Sequence, residues 1–476
     1  MSFDDDARIT LDALSAFADH ARRRDGKVVN QPPAHRLMAN LDIARLIAEG
    51  GLEGERLRQF LATYLGASTR LLDPRYMAHQ VAVPSPHSAL AALVDSFTNN
   101  AMAIYEMGPA AATIEMGVLD WMLGKIGWAP DPAAHGETAR EGGGGVLTHG
   151  GSLANLTALL AARARVAPRA WDEGTPSDLV ILCSPANHYS IARAAGIMGL
   201  GQRAVKYVPA DACGRIDAAR LPAFLDAIAR DGLQPIALVA NACSTALGLY
   251  DPLRDIAGVC RDRGIWLHVD GAHGASALVS PRLRHLLDGV DLADSLVWDA
   301  HKMLRSATLS AAVLVRDYRT LDHAFREEAS YLFHDKDQPG FDFIHRTVEC
   351  TKAAIGLKVF FALAHEGEGA IAAMIERQTV LAKDAARRLR NEPGMEVAVE
   401  PETNIVCFRF DGSDDLQIEL RRRLVEHGEF YISTAEALGK RWLRVALMNP
   451  STELTDIEAL VVELRRLRAE IDATGA

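Results

Sequence analysis

The sequence predicts an α/β protein: a mainly parallel sheet covered by helices on both faces, with an N-terminal helical segment before it and a small α+β region after it. Three observations predict this. Short apolar, β-favouring runs alternate with helical stretches between residues 146 and 315, the pattern of strands buried on both faces. Polar residues gather just after those runs, at the strand ends where ligands bind in such sheets. Beyond residue 391 the pattern changes to strand-like EVAVE, NIVCFRF, EFYIST and WLRVALMN, followed by a closing helix.

In order along the chain, residues 1–85 form the helical segment. Leu11, Leu14, Phe17 and Ala18 fall at helical spacing, and Leu41, Ala44, Leu46 and Ile47 precede the Gly50-Gly51 break. Such a segment cannot bury its apolar stripe alone, so it is expected to cap the main body or a second subunit. The loops around 73–108 carry His79, Gln80, Tyr105 and Glu106, and residues 110–126 read as a helix. Gly142 to Gly145 lack the GK[ST] of a phosphate loop and read as a flexible turn.

Val146 to Ser152 (VLTHGGS) then opens LANLTALLAARAR, with Ser152 as N-cap and Leu153, Leu156, Leu160 and Ala164 on one face. Glycines leading into a helix turn backbone N–H groups toward an anion such as phosphate. Strands follow at 178–183, 236–240, 265–269 and 311–315, with helices at 189–199 and 252–263 between them. The stretch Glu327–Arg346 has no periodicity and the length of a lid. Helices resume over 351–391, and Thr455-Asp456-Ile457-Glu458 reads as a capping box.

The chemistry centres on Asp294 to Leu304, DSLVWDAHKML, where a buried strand runs into His301 and Lys302. A charged lysine there is costly unless its charge is paired or consumed, and an imine with an aldehyde cofactor consumes it. Lys302 is therefore a candidate covalent anchor. Asp270 ends another strand, in HVDGAHG, within a domain too apolar to leave it unpaired; a pyridinium is one cation that would suit it. His188, Ser244, Thr245 and His301 follow the other strands.

A net charge of −11 without a strong basic run argues against nucleic acid. No run of eighteen apolar residues occurs, and MSFDDDARIT lacks a signal-peptide core, so neither membrane insertion nor export is expected. Six cysteines without a CxxC pair suggest no metal site and no disulfide framework, hence reduced, cytoplasmic thiols.

Taken together, LHVDGAHGAS, DSLVWDAHKML, VLTHGGSLANLTALLAARA and SPANHYSIARAAGIMG resemble the group II pyridoxal-phosphate-dependent amino-acid decarboxylases over roughly residues 70–460. Glutamate, cysteine-sulfinate, diaminobutyrate and aromatic amino-acid decarboxylases make up that family. The resemblance implies fold type I, with a mainly parallel seven-stranded sheet, a large domain at 86–350 that binds pyridoxal 5'-phosphate, a small domain at 351–476, and a homodimer with its active site at the interface. It implies that Lys302 carries the cofactor, Asp270 pairs with the ring nitrogen beside Ala272, and His188 stacks on the ring. It further implies that Gly151, Ser152, Ser295 and His301 hold the phosphate and that Ser244 and Thr245 line the pocket. Arg444, in WLRV, would bind the substrate carboxylate, with Gln80, Tyr105 and Phe343 near the substrate.

The implied activity is decarboxylation of an L-amino acid to its amine and CO2. The side chain is expected to be polar, with an acidic and a diamino substrate both open. Two departures stand out. Asp299-Ala300 replaces the family's usual Asn-Pro, which would set a carboxylate near the phosphate. Phe343 falls where the family carries a loop tyrosine, with Tyr331 and His345 as other candidates for its role; a phenylalanine there would open an oxygen-using, aldehyde-forming alternative. Another fold type I lyase or an aminotransferase is the nearest further rival, and a non-catalytic member that binds pyridoxal phosphate as a scaffold is a rival of a different class.

Overall fold

The computed structural model describes residues 2–131, 142–325 and 340–474. The chain divides into two compact units, one of Met1–Val83, Leu381–Glu400 and Ile405–Ala476, the other of Pro84–Val380 with Pro401–Asn404.

The larger unit holds seven strands: β1 (Gly144–Thr148), β2 (Leu179–Cys183), β3 (Val205–Tyr207), β4 (Gln234–Asn241), β5 (Trp266–Asp270), β6 (Ser295–Trp298) and β7 (Ala311–Val315). They lie in the order β1-β7-β6-β5-β4-β2-β3. β7 runs antiparallel to both its neighbours, and every other adjacent pair is parallel. All residues of β1, β2, β5, β6 and β7 are buried, which is why their sequences show continuous apolar runs rather than alternation. The helix Gly151–Val166 lies along β4, β6 and β7 and is buried without a break from Ala154 to Arg163.

The structure corrects several local expectations. β3 was not expected, since three residues leave too little pattern. Gly144 and Gly145 belong to β1 rather than to a turn, paired with Val315 and Leu314 of β7, and the close neighbours call for glycine, since a Cβ at Gly144 would enter the Tyr318 ring and one at Gly145 would meet Val313 O. The helix at 151 is capped by Gly150, at φ +105°, and Ser152 lies exposed in its first turn without capping it. The closing helix, Leu454–Thr474, starts a residue earlier than the expected box; Asp456 accepts the Glu453 N–H at 2.9 Å.

The smaller unit contains an antiparallel sheet of β8 (Met395–Val397), β9 (Ile405–Phe410), β10 (Ser433–Ala437) and β11 (Lys440–Ala446), ordered β10-β11-β9-β8. Its core gathers Phe408, Leu443, Val445, Leu460 and Leu464. The helix Phe3–Arg22, opened by a Ser2–Asp5 capping box, buries Ile9 and Ala21 and leaves Leu11 and Leu14 exposed. Among the described residues no helix is long and apolar enough to cross a membrane.

Candidate active site

β5 and β6 are parallel neighbours, so both chains leave the sheet at the same edge, with Asp270 opposite Val297. Asp270 closes β5. β6 continues through Asp299 into a tight turn in which the Lys302 N–H reaches Asp299 O at 3.1 Å. Asp299 N–H donates to Ala272 O at 3.0 Å, tying the turn to the residues after Asp270. Strand order thus brings Asp270 to the turn that carries both Asp299 and Lys302, which lies far from it in sequence.

The Lys302 Nζ lies 3.0 Å from Asp299 Oδ2. Burial opposes the ammonium charge, but Asp299, Asp270 and the hydrogen bond to Asp299 outweigh it and hold Lys302 above the usual lysine range. Asp299 is only 2 % exposed, and its Oδ1 is buried without a hydrogen-bond partner. His301 Nε2 is 3.6 Å from Asp299 Oδ2, while its Nδ1 faces Ser310 O at 2.8 Å.

A directed chain of hydrogen bonds stands behind Asp270. Its Oδ2 accepts from Asn155 Nδ2 at 3.1 Å and its Oδ1 from the Ala272 N–H at 3.2 Å. Because Asp270 takes the amide nitrogen, Asn155 Oδ1 is left to accept from His268 Nε2 at 2.9 Å. His268 Nδ1 must then accept, and Ser295 Oγ donates to it at 2.8 Å while receiving the Trp266 indole N–H at 2.8 Å. Asn155 Nδ2 also donates to Ser190 Oγ at 2.9 Å, which in turn donates to His188 Nδ1 at 2.9 Å. The direction of the whole chain places the neutral His188 proton on Nε2. Burial, partly offset by Asp270, keeps His188 below the usual histidine range, and burial pushes His268 down to about 4.

The predicted residues separate into groups. Lys302, Asp270, Ala272 and His301 are joined by the contacts above, and His188 joins them through Ser190 and Asn155. Gly151 belongs with them, since a Cβ there would lie 2.7 Å from Asp299 Oδ1. Ser295 does not: it starts β6, fully buried, with its hydroxyl engaged by Trp266 and His268, so it supports Asp270 from beneath instead of facing a phosphate. Ser244 is a turn former whose hydroxyl accepts the Leu249 N–H at 3.2 Å, with half-buried Thr245 beside it.

Tyr105 donates its backbone N–H to Asp342 and meets the Phe341 ring edge-on, centroids 6.1 Å apart. Phe343 is fully buried beneath the Lys352 ammonium, 4.6 Å from its ring, so it faces the core and not a substrate. Tyr331 lies outside the described residues. In the smaller unit, Arg444 is buried on β11 with Nη1 3.4 Å from Ala78 O, two residues before half-buried Gln80.

Sequence reasoning missed Asn155, Ser190 and His268. The first and last carried a signal, as polar residues inside the otherwise apolar runs ANLTALLAA and IWLHV. Both are buried. A polar side chain fixed in such a run needs a partner, and here the partners lead to Asp270.

Residues 57–411 match the model of the pyridoxal-dependent decarboxylase conserved domain. The chain belongs to this family. Human cysteine sulfinic acid decarboxylase is 29% identical over 444 residues, covering 88% of this chain and 87% of the relative. Acidic amino acid decarboxylase GADL1 of Bos taurus is 26% identical, covering 92% and 85%. The crystal structure of mouse CSAD in apo form superposes with a TM-score of 0.85 at 26% identity, covering 97% of this chain and 98% of that one. This decarboxylase is thus a pyridoxal-phosphate-dependent carboxy-lyase of fold type I acting on an amino acid.

The side chains fit that cofactor. A lysine and a buried carboxylate lie at the same edge of the sheet, after neighbouring strands, and the first turn of the helix Gly151–Val166 has no side-chain cap, which suits a phosphate. Asp299 Oδ1 is a buried oxygen still lacking a partner beside that helix terminus.

Proposed function

We propose that this decarboxylase acts on an acidic L-amino acid of the cysteine-sulfinate, aspartate or glutamate type, releasing CO2 and the corresponding amine. The observation that carries this reading is a cationic cluster in the smaller unit. Arg444 is buried there beside His79, whose Nε2 lies 3.0 Å from Tyr431 Oη, and the Arg421 guanidinium stands 5.8 Å from the Tyr431 ring. Burial, with Arg444 and Arg421, holds His79 below the usual histidine range. Two guanidinium groups around one loop suit a ligand with two acid groups better than a diamino acid. The names of the relatives, cysteine sulfinic acid decarboxylase and acidic amino acid decarboxylase, agree with this choice.

Bound pyridoxal phosphate supplies the electron sink that accepts the pair left on Cα when CO2 departs. In our reading Lys302 anchors it, and Asp270, held by Asn155 and Ala272, keeps its ring nitrogen protonated. Gly151 and Ser152 present backbone N–H groups to its phosphate, with His301 nearby. His188 would lie against the ring, with its Nε2 proton available to the site. By the family resemblance Arg444 would take the substrate α-carboxylate, and the Lys302 amine would be the group that holds a proton for Cα. The oxygen-using alternative drew on Phe343 and gains nothing from a side chain buried in the core.

The protein is further read as a cytoplasmic homodimer. All six cysteines are free thiols, and apolar residues on the N-terminal helices and on Pro86–Thr98 lie uncovered in a single chain. The test is a panel of L-amino acids given to the purified protein, with CO2, amine, keto acid and peroxide measured together. CO2 with amine from an acidic substrate supports the reading; keto acid without CO2, or turnover of diaminobutyrate alone, overturns it.

A further inference from the structure

Asp299 is the feature that the reaction as described leaves unexplained. It is buried, and one of its oxygens holds the Lys302 ammonium at 3.0 Å while the other has no hydrogen-bond partner. Both oxygens crowd Gly151 Cα, at the start of the helix whose backbone N–H groups suit a phosphate: a Cβ there would meet Oδ1 at 2.7 Å and Oδ2 at 2.8 Å. A carboxylate beside a phosphate dianion in a dry site is repelled, whereas a neutral carboxylic acid there donates a hydrogen bond. Lys302 faces the complementary problem, since an ammonium has no lone pair with which to bond to an aldehyde.

We propose that Asp299 is a positioning residue and proton store for Lys302: it holds the lysine as an ammonium while the lysine is free, and keeps one of its protons while the lysine is bonded to the cofactor. Lys302 Nζ passes one proton to Asp299. The amine then bonds to the aldehyde carbon, and its two remaining hydrogens leave with the aldehyde oxygen as water. Asp299, now neutral, turns its O–H toward the phosphate at Gly151 and Ser152. When substrate amine displaces Lys302, the proton returns and the ion pair re-forms. One buried carboxyl therefore serves both states, and no charge needs to enter or leave the pocket. The other titratable groups facing this pair include His301, whose Nε2 is 3.6 Å from Oδ2, Asp270, His188 and the Cys243 thiol.

The inference rests on Lys302 being the anchor, and its test separates the two. Infrared difference spectra of cofactor-loaded minus cofactor-free protein are recorded for the native chain, Asp299→Asn and Asp299→Leu. Loading the native protein is expected to produce a carboxylic-acid carbonyl band that Asp299→Asn lacks. Asp299→Asn, whose amide also donates, is expected to bind pyridoxal phosphate within about threefold of native, and Asp299→Leu about tenfold or more weakly. No acid band in the native protein, or a band that persists in Asp299→Asn, overturns the role of Asp299. If Lys302→Ala still forms a borohydride-stable adduct with pyridoxal phosphate, the anchor assignment itself is wrong, whatever Asp299 does.

Discussion

Asn155 carries more of the site than any residue that touches the cofactor in our reading, because its amide serves Asp270, Ser190 and His268 at once. Replacing it by Leu fills the space but takes one hydrogen bond from each of three buried polar groups, each bond worth about 0.5–1.5 kcal/mol. Asn155→Leu is expected to lose about 2–4 kcal/mol of stability in denaturant unfolding. Its kcat is expected to fall about tenfold or more, as Asp270 and the His188 tautomer lose their orientation. His268, further along the same chain, makes stability depend on pH. Burial lowers it from 6.5 to about 4 in the folded state. Above pH 6.5 neither state binds the proton and stability is intact. Between 6.5 and 4 only the unfolded chain binds it, so stability falls with falling pH. Below 4 both states are protonated and the loss levels off at about 3 kcal/mol. Unfolding at pH 7 and pH 4.5 should show a shallower pH slope for His268→Gln than for the native chain; equal slopes would assign the acid sensitivity to other groups.

At the scale of elements, what the sequence made legible was set by burial. β2, β5, β6 and β7 were readable because each is a continuous apolar run closed by a polar residue, and Lys302 and Asp270 because those closing residues are charged. Ser295 was misread for the same reason: a serine in a buried strand looks like a ligand-holder until the fold shows His268 and Trp266 waiting for it. Phe343 could not be placed from sequence, since nothing local tells a loop residue from one that folds inward over a buried ion pair. That pair, Lys352 with Glu115, is fully buried on the helix Pro109–Ile126 and the segment after Phe343. Burial pushes Glu115 up and Lys352 down, and the pairing of the two opposes both shifts. Lys352→Met should therefore cost about 3–5 kcal/mol by stranding Glu115, and adding Glu115→Gln should recover a large part of it. A double variant no more stable than the single one would show that the pair is not coupled.

At the scale of the whole molecule, the apolar surface left uncovered argues for assembly. On the helix Pro86–Thr98, Leu90, Leu93, Val94 and Phe97 follow helical spacing and are 45%, 52%, 44% and 71% exposed. In the other unit, Leu11, Leu14, Met38, Ile43 and Ile47 are open as well. Single exposed apolar residues are ordinary, but a stripe along one helix face is the mark of a surface that meets another chain. The homodimer proposed above would use it if the patch meets its own copy across a two-fold axis. Leu93→Glu with Phe97→Glu places two charges in the middle of that stripe without touching a buried residue. The doubly substituted protein is expected to sediment as a monomer, while its far-ultraviolet circular dichroism stays native. If the active site is completed at that interface, turnover should fall in proportion to dimer lost and recover as protein concentration rises. A native-like dimer in the variant would place the interface elsewhere, with the N-terminal helices as the next surface to charge.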